Sequence, residues 1–190
     1  TYQDLLKNEV DEKNFETLAR SVLSKVSIKG KTKSIAKKNL YHEIDFSPDG
    51  KFILISIIQK PFSYLVPYYR FPMKYAIYSS KGKELTVLHE VPLIEDLPKG
   101  FMAVRTGPRN FSWRSDRPSD LIFVEALDGG NPETDIKYRD EIFEIGYPFK
   151  QDKVSLLKTI NRFYRIDWCN DTLALGYDYW WNTRNTKTYV

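Results

Sequence analysis

One pattern is written three times along this chain of 190 residues: an aromatic strand, a polar turn containing Asp, then an apolar strand. It appears as Ile44-Asp45-Phe46-Ser47-Pro48-Asp49-Gly50-Lys51-Phe52-Ile53-Leu54. It recurs as Asn110-Phe111-Ser112-Trp113-Arg114-Ser115-Asp116-Arg117-Pro118-Ser119-Asp120-Leu121-Ile122-Phe123-Val124, and again as Tyr164-Arg165-Ile166-Asp167-Trp168-Cys169-Asn170-Asp171-Thr172-Leu173-Ala174-Leu175. Counted from Phe46, Phe111 and Ile166, the repeats stand 65 and 55 residues apart, about the length of a long four-stranded propeller blade with loop insertions. A lone four-stranded antiparallel sheet cannot bury both faces, whereas sheets stacked radially bury each face against the next.

The rest of the chain agrees with strands. Residues 52–58, 75–79, 84–88, 121–127, 142–145 and 173–179 are short runs rich in β-branched or aromatic side chains and bounded by turn formers. Ser47-Pro48-Asp49-Gly50 and Ser80-Lys81-Gly82-Lys83 read as tight hairpin turns. Ile28-Lys29-Gly30-Lys31 joins residues 18–27 to 32–36, and Asp128-Gly129-Gly130 ends another strand. Only residues 1–12 look helical, with Thr1 or Asp4 as N-cap and Leu5, Leu6 and Val10 along one side.

The fold class read from this pattern is all-β, a partial β-propeller with two full and two partial blades. Residues 1–40 form a partial blade, 41–108 and 109–162 full blades, and 163–190 a second partial one. Closure takes four to eight blades, so the segment reads as cut from something longer. A free-standing β-sandwich of this size is the rival architecture.

Hydrophobic residues make up 42% of the chain and aromatic ones 15%, which supports a packed core and excludes a disordered or low-complexity protein. Cys169 is the sole cysteine and His42 and His89 the sole histidines, so neither an internal disulfide nor a Cys/His zinc pattern exists. No metal or cofactor is implied. The longest apolar run, residues 53–58 interrupted by Ser56, is far short of the roughly 20 residues of a membrane helix. The N-terminus carries no basic-then-apolar leader. The expectation is a soluble segment without a membrane partner.

The 29 basic and 25 acidic residues are scattered. Six lysines fall within residues 25–38; flanking a hairpin turn and lacking stacking aromatics, they read as guards of an exposed strand edge and not as a nucleic-acid surface. The aromatic tract 62–71, broken by Pro61, Pro67 and Pro72, reads as a long connection that either lines a pore or interface or packs over a sheet edge. Asp45, Asp49, Asp116 and Asp120 read as turn formers.

Three runs carry a specific resemblance. Pro61-Phe62-Ser63-Tyr64-Leu65-Val66-Pro67-Tyr68-Tyr69-Arg70-Phe71-Pro72, Gly107-Pro108-Arg109-Asn110-Phe111-Ser112-Trp113-Arg114-Ser115-Asp116 and Val124-Glu125-Ala126-Leu127-Asp128-Gly129-Gly130-Asn131-Pro132 resemble the N-terminal β-propeller of the prolyl oligopeptidase family, in its glutamyl-endopeptidase-like branch. Tyr2-Gln3-Asp4-Leu5-Leu6, Arg139-Asp140, Pro148-Phe149, Arg162-Phe163 and Trp181-Asn182-Thr183-Arg184 extend it along the chain. The family pattern commonly has Asp where Asn131 stands; either residue supports an Asx-turn.

The resemblance implies a serine peptidase in which this region is non-catalytic. It would gate and orient peptide substrates, cleaved after Glu, for an α/β-hydrolase domain downstream, in a periplasmic or extracellular setting. None of the nine glycines stands two residues before a serine, so no nucleophile elbow exists here and no catalytic residue is assigned. A substrate carboxylate would need a cation, and Arg70, Arg109, Arg114 and Arg184 lie inside the family-like runs, near loops. Arginines also pair with acidic turn residues between blades. An open set of blades is expected to self-associate. The rival function is a non-enzymatic propeller scaffold for a protein or carbohydrate partner.

Overall fold

A computed structural model describes residues 5–150 and 152–190. Among them are thirteen strands in four antiparallel sheets, one α-helix and one short 3-10 helix, so the fold is all-β. The chain divides into two compact units, one drawn from residues 1–46 and 50–95 and the other from residues 47–49 and 96–190.

The first unit opens on helix α1 (Glu9–Leu18), which corrects the expectation of a helix over residues 1–12. The N-cap is Asn8, whose side chain accepts from the Val10 and Asp11 amides at 3.0 Å each; the caps suggested at Thr1 and Asp4 lie outside the described residues. Glu9, Asp11 and Glu12 fill the first turn, where carboxylates complement the positive end of the helix dipole. Of the expected apolar side, Leu6 packs against the core cluster from the segment ahead of the helix, Val10 is exposed, and Phe15 is the helix residue that reaches that cluster.

A hairpin of β1 (Ser24–Val26) and β2 (Thr32–Ser34) follows, three residues on each side and exposed throughout. The strand expected over 18–27 is shorter: α1 runs to Leu18, and residues 19–23 carry only an isolated bridge from Ser21 to Asn39 before β1 begins. Next comes an antiparallel meander in chain order: β3 (Tyr41–Phe46), β4 (Phe52–Ile58), β5 (Met73–Ser79) and β6 (Glu84–Val91). Its central strands are apolar on both faces. Ile53, Ile55 and Ala76 are fully enclosed, with Leu23, Ile35 and Tyr41 packed over them. Gly82, at φ +85°, ends the β5–β6 turn, and a Cβ there would lie 1.8 Å from the Ile35 carbonyl oxygen; glycine lets the connection after β2 lie against the sheet.

At one end of this meander Ile58, Phe71, Met73 and Val91 form a second apolar cluster with Val66 and Leu40. The tract 62–71 supplies part of it: Phe62 stacks on Phe71 with centroids 5.3 Å apart, and Phe15 meets both edge-on. Its other rings, Tyr64, Tyr68 and Tyr69, are exposed.

The second unit holds a four-stranded meander, β7 (Arg109–Trp113), β8 (Leu121–Ala126), β9 (Asp140–Ile145) and β10 (Val154–Thr159), and a three-stranded one, β11 (Arg162–Asn170), β12 (Leu173–Trp180) and β13 (Asn185–Tyr189). The two pack face to face. Ile122, Val124 and Ile142 from one sheet form a cluster that Phe163, Ile166 and Trp168 from the other cover. Gly176 permits the approach, because a Cβ there would sit 2.7 Å from Leu157 Cδ2. The repeated motif joins the first strand to the second in all three large sheets: β3 to β4, β7 to β8 and β11 to β12.

Candidate functional site

The four arginines singled out in the sequence occupy different chemical settings. Arg109 opens β7 and is 7% exposed; its Nη2 donates to Asp140. Arg114, also 7% exposed, grips Asp116 through Nε at 3.0 Å and Nη2 at 2.6 Å, gives Nη1 to Glu144 at 2.8 Å, and lies 4.0 Å from the Trp168 ring centroid. That bidentate hydrogen bonding holds the Asp116 carboxyl below its ordinary value, and the same bonds raise Arg114. The fork of Arg114 is committed to protein partners.

Arg70, on the 3-10 turn Tyr68–Arg70, donates Nη2 to the Glu95 carbonyl at 3.0 Å. Its Nε is buried with no partner among the described residues. Arg184 differs from the other three. It is exposed, in the turn between β12 and β13, and its guanidinium lies 3.7 Å from the Trp181 ring centroid while Nη1 donates to the Tyr179 hydroxyl at 3.0 Å. That is its one hydrogen bond from the side chain among the described residues, so most of its donors face solvent. Its φ of +59° is a left-handed conformation that a non-glycine residue adopts at a cost of about 1 kcal/mol.

Trp181 also meets Phe101, 81% exposed, at 5.3 Å, and Tyr179 edge-on at 6.4 Å. Together these side chains form an open aromatic platform carrying one oriented cation, suited to holding a carboxylate beside an apolar group.

A second constellation went unread in the sequence. Arg162, opening β11, donates Nε to the Met102 carbonyl at 2.8 Å, Nη1 to Asp140 at 2.9 Å and Nη2 to Asp128 at 2.7 Å. Asp128 also accepts from Arg139 Nη1 at 2.9 Å, and Asp140 from the Phe163 amide at 2.8 Å. Arg139 lies 4.3 Å from the Trp180 ring centroid. Gly130, at φ +79°, holds the loop close: a Cβ there would meet the Val104 carbonyl oxygen at 1.9 Å. The next residue, Asn131, accepts from the Glu133 amide at 3.0 Å, the Asx-turn expected of it.

The available sequence signal was weak. Arg109, Asp140 and Arg162 each open a strand of apolar and aromatic residues with a charge. Nearby, Asp178 is fully buried and satisfied by neutral donors: the Asn161 amide and side chain, the Lys187 amide, and the Tyr189 hydroxyl. Burial, with that carboxylate beside it, pushes the Tyr189 phenol up to about 12.

His42 lies on exposed β3, 3.4 Å from the Ser56 hydroxyl, and among the described residues no cluster of His, Cys, Asp or Glu could hold a metal. No described helix is long and apolar enough to cross a membrane.

No protein-family profile matches the chain. A crystal structure of an uncharacterized protein from Listeria monocytogenes EGD-e covers 85% of the chain and 39% of its own, at 18% identity and a TM-score of 0.49, too slight a likeness to bear on the fold. Two relatives named "Probable glutamyl endopeptidase, chloroplastic" match the chain over its whole length, one from Oryza sativa subsp. japonica at 38% identity and one from Arabidopsis thaliana at 37%. The chain is thus homologous throughout to proteins named as peptidases, and it spans 20% of the length of these curated relatives.

Proposed function

We propose that this chain is a non-catalytic β-propeller region of a serine peptidase, which admits and orients peptides for cleavage after glutamate by an α/β-hydrolase domain elsewhere in the same protein. The observation that carries the reading is the full-length match to proteins named glutamyl endopeptidases. Two features of the molecule support it. The motif stands at the same place in three successive meanders, two of them stacked face to face, as blades of a propeller would be. The chain also lacks the G-x-S-x-G that a hydrolase nucleophile needs.

In this reading the platform of Arg184, Trp181 and Phe101 faces the peptide. Its guanidinium is held in place before a ligand arrives, so little side-chain entropy is lost when a carboxylate docks. Arg114 is taken up by Asp116 and Glu144, and the unmade donors Arg70 Nε and Arg109 Nη1 are buried away from a peptide. The proposal keeps a periplasmic or extracellular compartment, although both named relatives carry a chloroplast placement; fractionation of the source cells tests it. It also includes self-association of the isolated chain, since the outer strands β10 and β13 are mostly exposed. Sedimentation at high concentration tests that, and a lone monomer counts against it.

The test of function uses the longer protein. Reading the gene onward should reveal G-x-S-x-G followed by Asp and His, and the purified product should cut short peptides after Glu at least about tenfold better than after Gln, a difference of about 1.4 kcal/mol in the transition state. Equal cleavage of both peptides removes the specificity claim. An early stop codon would favour the non-enzymatic scaffold.

A further inference from the structure

The buried ion set of the second unit is unbalanced. Arg109, Arg139 and Arg162 carry three positive charges against two negative ones on Asp128 and Asp140. The carboxylates are fully enclosed, and Arg109 and Arg162 are only 7% and 4% exposed. Each Arg162 nitrogen has an acceptor, and Arg139 has Asp128 below it and the Trp180 ring on its face. Arg109 is the incomplete member: Nη2 meets Asp140, while Nη1 is buried with no partner among the described residues. Of the other enclosed carboxylates of this unit, Asp178 contacts Asn161, Lys187 and Tyr189, and Glu141 contacts Ser155 and Lys158; no described hydrogen bond or ion pair joins either to Arg109.

An enclosed guanidinium with an unmade hydrogen bond, in a set with one surplus positive charge, is costly twice over. Burial pushes Arg109 down from its ordinary value, and the like charge of Arg162 adds to this against the pull of Asp140. A water would complete the hydrogen bond and leave the charge; a small anion would do both. With Arg109 enclosed and the Asp140 carboxylate already on Nη2, the anion that asks least room and carries one charge is a halide.

We propose that the Arg109–Asp140–Arg162–Asp128–Arg139 set binds a halide-sized monovalent anion, of the chloride class, at Arg109 Nη1. The site is separate from the peptide platform at Arg184 and does not depend on that reading. Its consequence is that halide stabilises the second unit by binding only its folded form.

The test uses this protein in two measurements. Crystals soaked in sodium bromide should show an anomalous peak within hydrogen-bonding distance of Arg109 Nη1. Thermal melts in sodium chloride should run about 2 °C above melts in sodium gluconate of equal ionic strength. The variant Arg109→Gln, which removes the surplus charge, should lose that difference; if it fails to fold, the bromide map of the unaltered protein decides. Equal melting in chloride and gluconate, or bromide only on the surface, overturns the proposal. A peak at Arg109 without any stability difference marks an adventitious ion only, and overturns it as well.

Discussion

The meander β3–β6 and the paired meanders β7–β13 solve the same burial problem with different materials. In the first unit the enclosed side chains include Ile53, Ile55, Ile57, Phe71, Ala76 and Ile77, and among the described residues the enclosed polar ones there are the serines Ser56 and Ser63. In the second, Arg109, Arg114, Asp128, Asp140, Glu141, Arg162 and Asp178 are enclosed beside Leu121, Ile122, Val124 and Ile142. Apolar packing loses stability in proportion to the volume removed. A buried ion set loses it abruptly, because removing one member leaves the others charged and dry. The first unit should therefore respond to substitution by degrees and the second by thresholds.

The largest effect expected is at Asp140. Asp140→Ala strands Arg109, Arg162 and the Phe163 amide together and should cost about 3–5 kcal/mol in urea unfolding. Amide exchange should rise in β7, β9 and β11 and not in β4 or β5. A loss shared evenly by both units would break the contrast. Ile55→Val, in a fully enclosed site, should cost about 1 kcal/mol with exchange raised in β4 and β5 alone.

Acid acts next, on the Arg114–Asp116 pair of the second unit. The bonds from Arg114 hold Asp116 below its ordinary 3.8, so this pair stabilises the fold above that pH, and its contribution fades as pH falls through the lower folded value. Against Asp116→Asn, the unaltered protein should hold an advantage of at most about 1 kcal/mol near neutrality that fades as pH falls below the ordinary carboxylate range. An advantage unchanged by acid would mean the pair does not titrate as described. The smallest effect is at Arg184. In Arg184→Gly, relief of the positive φ and loss of the Trp181 contact should offset to within about 0.5 kcal/mol. A loss above about 2 kcal/mol would make Arg184 a structural residue and remove the platform reading.

The same contrast explains what was legible beforehand. The run 52–58 is the strand β4 to the residue, since a central strand buried on both faces is apolar throughout. β9 begins at Asp140, two residues before the apolar run that announced it, because its opening charges belong to the ion set. β10 and β13 gave no signal; Val154-Ser155 and Thr186-Lys187-Thr188 are exposed and become strands only by pairing with the inner neighbours β9 and β12. Arg109, Arg114 and Arg184 could be singled out from neighbouring motifs. Arg114 even has Asp116 two residues on, inside the same motif, but the ion set was hidden: Arg162 meets Asp140 and Asp128 across 22 and 34 residues, a proximity set by the stacking of two sheets and invisible to local pattern.

The central claim is that Arg184, exposed and oriented on Trp181, meets the peptide, while the enclosed Arg109, Arg114 and Arg162 hold the fold. A nuclear magnetic resonance titration of the Trp181 indole N–H with a short peptide containing Glu, and with its Gln counterpart, tests this most directly. The account predicts a saturable shift with the Glu peptide that is at least about tenfold weaker with Gln and absent in Arg184→Gln. Equal shifts from both peptides, or a Glu response that survives Arg184→Gln, would contradict it.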